Sequence, residues 1–267
     1  MTTRRSRTVA LMSAILLAGA PAVAADRLTD RDVKALVEKI DDGRDRFEGA
    51  LDGDVKRSIV RSPTGEMDVT RALDDFQESV SRLKDRLKPE YSASTEAAAV
   101  LRRASALDAF LKQQPAGLKG ASEWSRLAAD LDVLASTYGA AFPLAENAPV
   151  RRISDRELTA AAEQLVKTGE QLKKSLDADL KKNPSVTAQD RQAAIADADR
   201  WSKDAKALRD RVKDGKPSSA EADKVAGGTA KMKSFLDARS LQASAAVWAG
   251  ASGALQTMAQ AYGASAK

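Results

Sequence analysis

The sequence predicts an all-α chain built as a tandem duplication of an antiparallel four-helix bundle, and three observations carry that expectation. Apolar residues recur at helical spacing, no stretch alternates apolar and polar residues like a half-buried strand, and the second half repeats the first. Shifted by 125 residues, LTDRDVKALVEKIDDGRDRFEGALD from Leu28 lies on ISDRELTAAAEQLVKTGEQLKKSLD from Ile153, so that Asp30 meets Asp155 and Leu51 meets Leu176. The same shift carries LKDRLK at Leu83 onto LRDRVK at Leu208 and Phe110 onto Phe235. After the loss of one residue, a shift of 124 places Trp124, Leu131, Ala135, Tyr138 and Gly139 on Trp248, Leu255, Ala259, Tyr262 and Gly263.

Residues 1–25 precede the repeat and read as a secretory signal peptide: Arg4, Arg5 and Arg7, an apolar run from Val9 to Ala20, then Ala22-Val23-Ala24 as an A-x-A cleavage site. The run is too short to span a bilayer comfortably, so cleavage after Ala24 or Ala25 is expected. The implied location is the periplasm, or the exterior, of a bacterial envelope. Residues 26–139 form the first bundle, 140–150 a linker with two prolines, and 151–267 the second bundle.

Each bundle reads as four helices. The first opens on Thr29-x-x-Asp32 or Ser154-x-x-Glu157, a capping box in which hydroxyl and carboxylate satisfy free backbone N–H groups. Its buried stripe is Val33, Leu36, Val37, Ile40, Phe47 and Leu51, answered by Leu158, Ala161, Ala162, Leu165, Leu172 and Leu176. A connection from Gly53 to Met67 reads as an exposed loop whose Ile59-Val60 packs back on the bundle. The second helix carries Val69, Leu73, Phe76, Val80 and Leu83 in one copy and Ile195, Ala198, Trp201, Ala205 and Leu208 in the other. Pro89 and Gly215-Lys216-Pro217 stop these helices. The third runs from Ser92 to Lys112, its counterpart opening on another box, Ser218-x-x-Glu221. The fourth runs from Trp124 to Gly139 and from Trp248 to Gly263.

Composition removes most chemistry. The chain has no histidine and no cysteine, which excludes histidine zinc sites, Glu-x-x-His di-iron sites, c-type haem attachment, cysteine nucleophiles and disulfides. Without the leader's three arginines, 40 basic residues face 38 acidic ones, interleaved rather than clustered, so nucleic acid is not an expected partner. The densest carboxylates, Asp41-Asp42, Asp74-Asp75, Asp177-Asp179 and Asp197-Asp199, lie beside lysines and arginines on wet helix faces and read as an ion-paired surface. No catalytic residue, metal or cofactor is expected.

Trp124 and Trp248 fall on stripes with steps of three and four residues and read as core. The copies differ at their outward positions, where Glu123, Arg126 and Asp130 face Val247, Gly250 and Ala254. No charged residue occurs from Ser240 to Ala266, and a helix without a charged face is usually covered on more than one side. Val247, Gly250, Gly253 and Ala254 are therefore the candidate interface for a protein partner or self-association.

With its LTDRD and ISDRE starts, LKDRLK, QPAGLKGASEW and the W…YG helix, the mature chain resembles uncharacterised exported, periplasmic helical-bundle proteins of Gram-negative bacteria. The likeness implies an envelope location and a helical fold, and lends no catalytic or binding residue. The leading expectation is a non-enzymatic interaction or scaffold protein acting through helix faces. The alternative is a carrier of a small apolar or cationic ligand held between bundle helices. An apolar cavity above about 300 Å³ favours the carrier; an apolar outer strip near Ala254 favours the scaffold.

Overall fold

A computed structural model describes residues 27–62, 65–115, 117–183, 186–239 and 241–263. The signal-peptide reading of residues 1–25 lies outside them. The described chain is mostly helical, with one two-stranded hairpin, and none of its helices is long and apolar enough to cross a membrane.

Helix α1 (Asp30–Ala50) and helix α6 (Asp155–Lys181) start as the capping boxes dictate. Thr29 Oγ1 accepts from Asp32 N at 3.2 Å while the Asp32 carboxylate accepts from Thr29 N at 3.1 Å. Ser154 and Glu157 repeat the exchange at 3.1 and 2.8 Å. The second helices are α3 (Val69–Arg86) and α7 (Ala188–Lys213), the third α4 (Ser94–Leu111) and α8 (Ser219–Asp237). The box expected at the start of α8 does not form. The Ser218 hydroxyl instead hydrogen-bonds the Tyr262 hydroxyl at 2.8 Å.

Two further elements depart from expectation. The segment after α1 is not a plain loop: it contains a helical turn, α2 (Gly53–Lys56), then strands β1 (Ile59–Ser62) and β2 (Gly65–Asp68), paired antiparallel with Ile59 opposite Asp68 and Ser62 opposite Gly65. Val60 and, opposite it, the half-buried Met67 turn inward while Ile59 is 55% exposed, one inward residue per strand and too little to register as an alternating pattern. Gly65, at φ +130°, supplies backbone freedom beside the turn.

The fourth helix is continuous in the first half, α5 (Ala121–Thr137), but divided in the second into α9 (Gln242–Ala249) and α10 (Ser252–Tyr262). Gly250 and Gly253 stand where the first half has Arg126 and Ala129, and two glycines in four residues weaken a helix. Asp179 of α6 fixes the start of α9, its carboxylate accepting from Ser244 N and Ser244 Oγ, both at 2.9 Å.

In the first half α1 packs on α3 and α5, and α4 on α3 and α5, around one core that includes Ile40, Phe47, Phe76, Leu101 and Leu131. In the second, α6 packs on α7, α9 and α10, and α8 on α7 and α10, with the core divided into two clusters. One cluster holds Leu165, Trp201 and Met258; the other holds Leu172, Leu176 and Leu236. The linker lies on the first half: Leu144 N donates to Ser105 Oγ at 2.7 Å and Arg151 N to Tyr138 O at 2.9 Å. The ends of the two halves meet through Arg27, Asp30, Arg152 and Asp155.

Candidate functional site

Among the described residues no group of three or more histidine, cysteine, aspartate or glutamate side chains is placed to hold a metal ion. Most of the dense carboxylates are tied to cations: Asp41 to Lys84, Asp75 to Arg71, Asp177 to Lys181 and Arg191, Asp197 to Lys231, Asp199 to Lys173 and Lys203, whereas Asp179 departs from the ion-paired reading and accepts from Ser244. Two lysines hydrogen-bonded to Asp199 hold its carboxyl down at about 2, the behaviour of a surface ion pair rather than of an acid poised near neutrality.

Cavities therefore matter more than titratable groups, and two of them flank the matched tryptophans. In the first half a cleft of about 410 Å³ between α4 and α5 is lined by Asp108, Leu111, Lys112, Trp124 and Ala128. Trp124 is fixed there. Its Nε1 donates to Asp108 Oδ1 at 3.1 Å, the other oxygen of that buried carboxylate takes Lys112 Nζ at 2.7 Å, and the indole lies 5.0 Å from the Phe47 ring.

In the second half a cleft of about 340 Å³ opens between α8 and the α9–α10 pair, lined mainly by Ala222, Ala230, Trp248, Leu255, Met258 and Tyr262. At the offset of 125, the place of Asp108 is taken by Lys233, which reaches Asp237 at 2.6 Å instead of the indole. Trp248 is half-buried, lies 5.1 Å from the Trp201 ring, and its indole N–H has no acceptor among the described residues. Trp201 is the fixed partner, donating from Nε1 to Thr229 Oγ1 at 3.0 Å. Ala222, Ala226 and Ala230 of α8 line one wall, with Asp223, Thr229 and Lys233 beside them. Tyr262 closes one end, its hydroxyl pushed up from the usual tyrosine range by burial.

The four candidate interface residues are not brought together on one outer face. Val247 is half-buried against the Leu172–Leu236 cluster, and Ala254 is only 9% exposed and belongs to the Trp201 cluster. Gly250 and Gly253 are exposed. Asp130, the match of Ala254 on the continuous helix α5, is also buried, at 8% exposed, so this position faces inward in both halves and is not an outward one. Larger than either cleft is a cavity of about 540 Å³ at the junction of the halves, whose lining includes Arg27, Asp132, Arg151, Ile153 and Tyr262.

Several structural residues carry no clear sequence signal. Arg44 is buried on α1 with Glu48 at 2.7 Å and Asp45 at 2.9 Å, and nothing in its spacing separates it from solvated arginines nearby. Arg27 and Arg152 stand 125 residues apart, directly before the matched segments, and that offset is the signal that locates them. Comparison with protein-family models, curated proteins and solved structures finds no match for this chain.

Proposed function

We propose that the chain is a non-enzymatic carrier of the cell envelope, built from two duplicated four-helix bundles, whose second bundle holds a small apolar ligand between α8 and α9–α10. The observation that carries the reading is the roughly 340 Å³ apolar cleft beside an indole with a free N–H donor. Volumes of this order suit small-molecule sites, which are mostly apolar with a few polar groups that orient the ligand. Here those groups are the Trp248 N–H, Thr229 and Ser252. Lys233 and Asp223 line the cleft with opposite sign, which favours a neutral ligand over a cation. Transfer of apolar surface from water supplies the affinity, and a negative heat capacity of binding is its signature.

Titration with N-phenyl-1-naphthylamine, a neutral apolar fluorophore, tests this. Saturable one-to-one binding with energy transfer from tryptophan is expected. It should disappear in Ala226→Phe, which fills the cleft, and persist in Ala128→Phe, which fills the corresponding cleft of the first half. Equal binding by both variants, or no saturable binding, sinks the carrier reading. The scaffold reading draws on one observation, the exposed Gly250 and Gly253 on a stretch from 241 to 263 without a charged side chain; a chain that binds no probe but is captured by a protein through that stretch would favour it.

A further inference from the structure

The contacts joining the two halves obey a rule that neither the cleft nor the cores require. Arg27 Nη1 donates to Asp155 Oδ1 at 2.5 Å, and Arg152 Nη1 donates to Asp30 Oδ1 at 2.5 Å. Arg27 Nη2 donates to Ile153 O at 2.6 Å, and Arg152 Nη2 to Leu28 O at 3.1 Å. Asp30 N donates to Asp155 Oδ2 at 2.8 Å, and Asp155 N to Asp30 Oδ2 at 3.2 Å. Each contact becomes its own partner when every residue number is moved by 125. That is the signature of an isologous interface, in which residue i meets j and j meets i across a twofold axis.

The chemistry is self-complementary within each half. Arg27-Leu28-Thr29-Asp30 supplies one guanidinium, one carbonyl, one carboxylate and one helix-start N–H, and Arg152-Ile153-Ser154-Asp155 supplies the same set. Each carboxylate also sits at the N-terminal end of the other half's first helix, where the helix dipole favours negative charge. Both arginines are withdrawn from water, with side chains 8% and 2% exposed. Apart from minor contacts, helices of one half pack only on helices of the same half, so this clasp is the principal described link between them.

We propose that the clasp is a homotypic recognition surface: the Arg-x-x-Asp start of either half fits a second copy of itself, and the partner it takes is another copy of the same repeat. Two first halves would exchange Arg27 and Asp30 through the same reciprocal bonds. The inference rests on the reciprocal contacts and is independent of the ligand cleft.

The test uses the full chain with a protease site inserted between the exposed Glu146 and Asn147 of the linker. Unlabelled and nitrogen-15-labelled chains are mixed, cleaved, and followed by native mass spectrometry. Paired first halves should appear alongside first-with-second pairs. They should vanish in Arg27→Asp, which sets acid against acid across the axis, and return in the double variant Arg27→Asp with Asp30→Arg. Only first-with-second pairs, or only single halves, at a concentration where the uncleaved chain is folded would overturn the proposal.

Discussion

The two halves share their helix starts and their tryptophan–tyrosine helix, yet their interiors differ at mid-height. In the first, one apolar cluster runs unbroken from Val33 to Leu144. In the second, two clusters are separated where Thr168, Gly169 and Ser202 bring α6 and α7 together. A Cβ built at Gly169 would stand 2.6 Å from Ser202 Cβ, whereas the matched position of the first half holds the buried Arg44. Small residues draw one pair of helices close, and the opposite pair, α8 and α10, touches sparsely and leaves the cleft. A core divided by a close approach creates space elsewhere, because side chains cannot stretch to fill it.

Trp201→Ala should break the comparison most severely. Trp201 is fully buried, bonds Thr229 and faces Trp248, and large aromatic truncations in cores cost about 3–5 kcal/mol. Because the cores are separate, calorimetry should then resolve two transitions, with the second half melting first. A single transition shifted as a whole would mean that the halves unfold as one unit. Gly169→Val comes next: overpacking typically costs about 1–3 kcal/mol, and the nearest Ser202 atoms include the backbone Cα at 3.2 Å, which cannot swing aside. Denaturant midpoints would register it, and an unchanged midpoint would show that α6 and α7 separate freely.

Much of this difference was legible from residues. The helix starts were, because Thr29 and Ser154 each announce a cap and a partner three positions on. The heptad-like stripe through Trp124 was. The division of the last helix was not: helical spacing survives across Gly250 in the letters, and nothing there marks the tightened bonds from Gly250 N to Val247 O at 3.1 Å and from Ala251 N to Trp248 O at 2.9 Å that interrupt it. The hairpin is not legible because each strand turns only one large residue inward, Val60 and Met67. As for the candidate interface, the charge of Asp130 reads as solvent-facing, yet its carboxylate is buried against Lys39 at 2.6 Å, and the matched Ala254 is buried likewise.

Asp108→Leu should separate the tryptophans at a smaller scale. It removes the acceptor of a buried indole N–H, a loss of about 1–3 kcal/mol, and frees Trp124 to respond to solvent quenchers. Lys233→Leu, at the matched place, should alter stability by no more than about 0.5 kcal/mol, since Lys233 ends in an exposed pair with Asp237. Equal effects would mean that Trp124 is held by packing alone.

The tyrosines extend the comparison to pH. Burial pushes the Tyr138 hydroxyl well above its ordinary value of 10.0, and Tyr262, half-buried, moves the same way. The folded chain keeps protons that the unfolded chain releases, so stability is intact below pH 10 and declines as pH rises beyond it. Tyr138→Phe should cost about 0.5–1.5 kcal/mol at neutral pH through the lost bond to Ser92 O, and should flatten the alkaline decline. Denaturation curves at neutral and alkaline pH measure both, and an undiminished decline in the variant would assign it elsewhere.

The smallest effect concerns neighbouring glycines of α8, which replace Arg102 and Arg103 of the first half. Gly227 has nothing within 4 Å of an added Cβ, whereas at Gly228 that atom would meet Trp201 Cδ1 at 2.8 Å. Gly227→Ala should therefore stabilise by about 0.4–1 kcal/mol, through the reduced freedom of the unfolded chain alone. Gly228→Ala carries the same unfolded-state gain but forces the Trp201 indole off its bond to Thr229, so its net effect should be destabilising. Opposite signs at adjacent positions of one helix would place the constraint on Trp201 rather than on helix propensity; equal gains would mean that the indole has room to move and that the cleft wall beside Trp248 is soft.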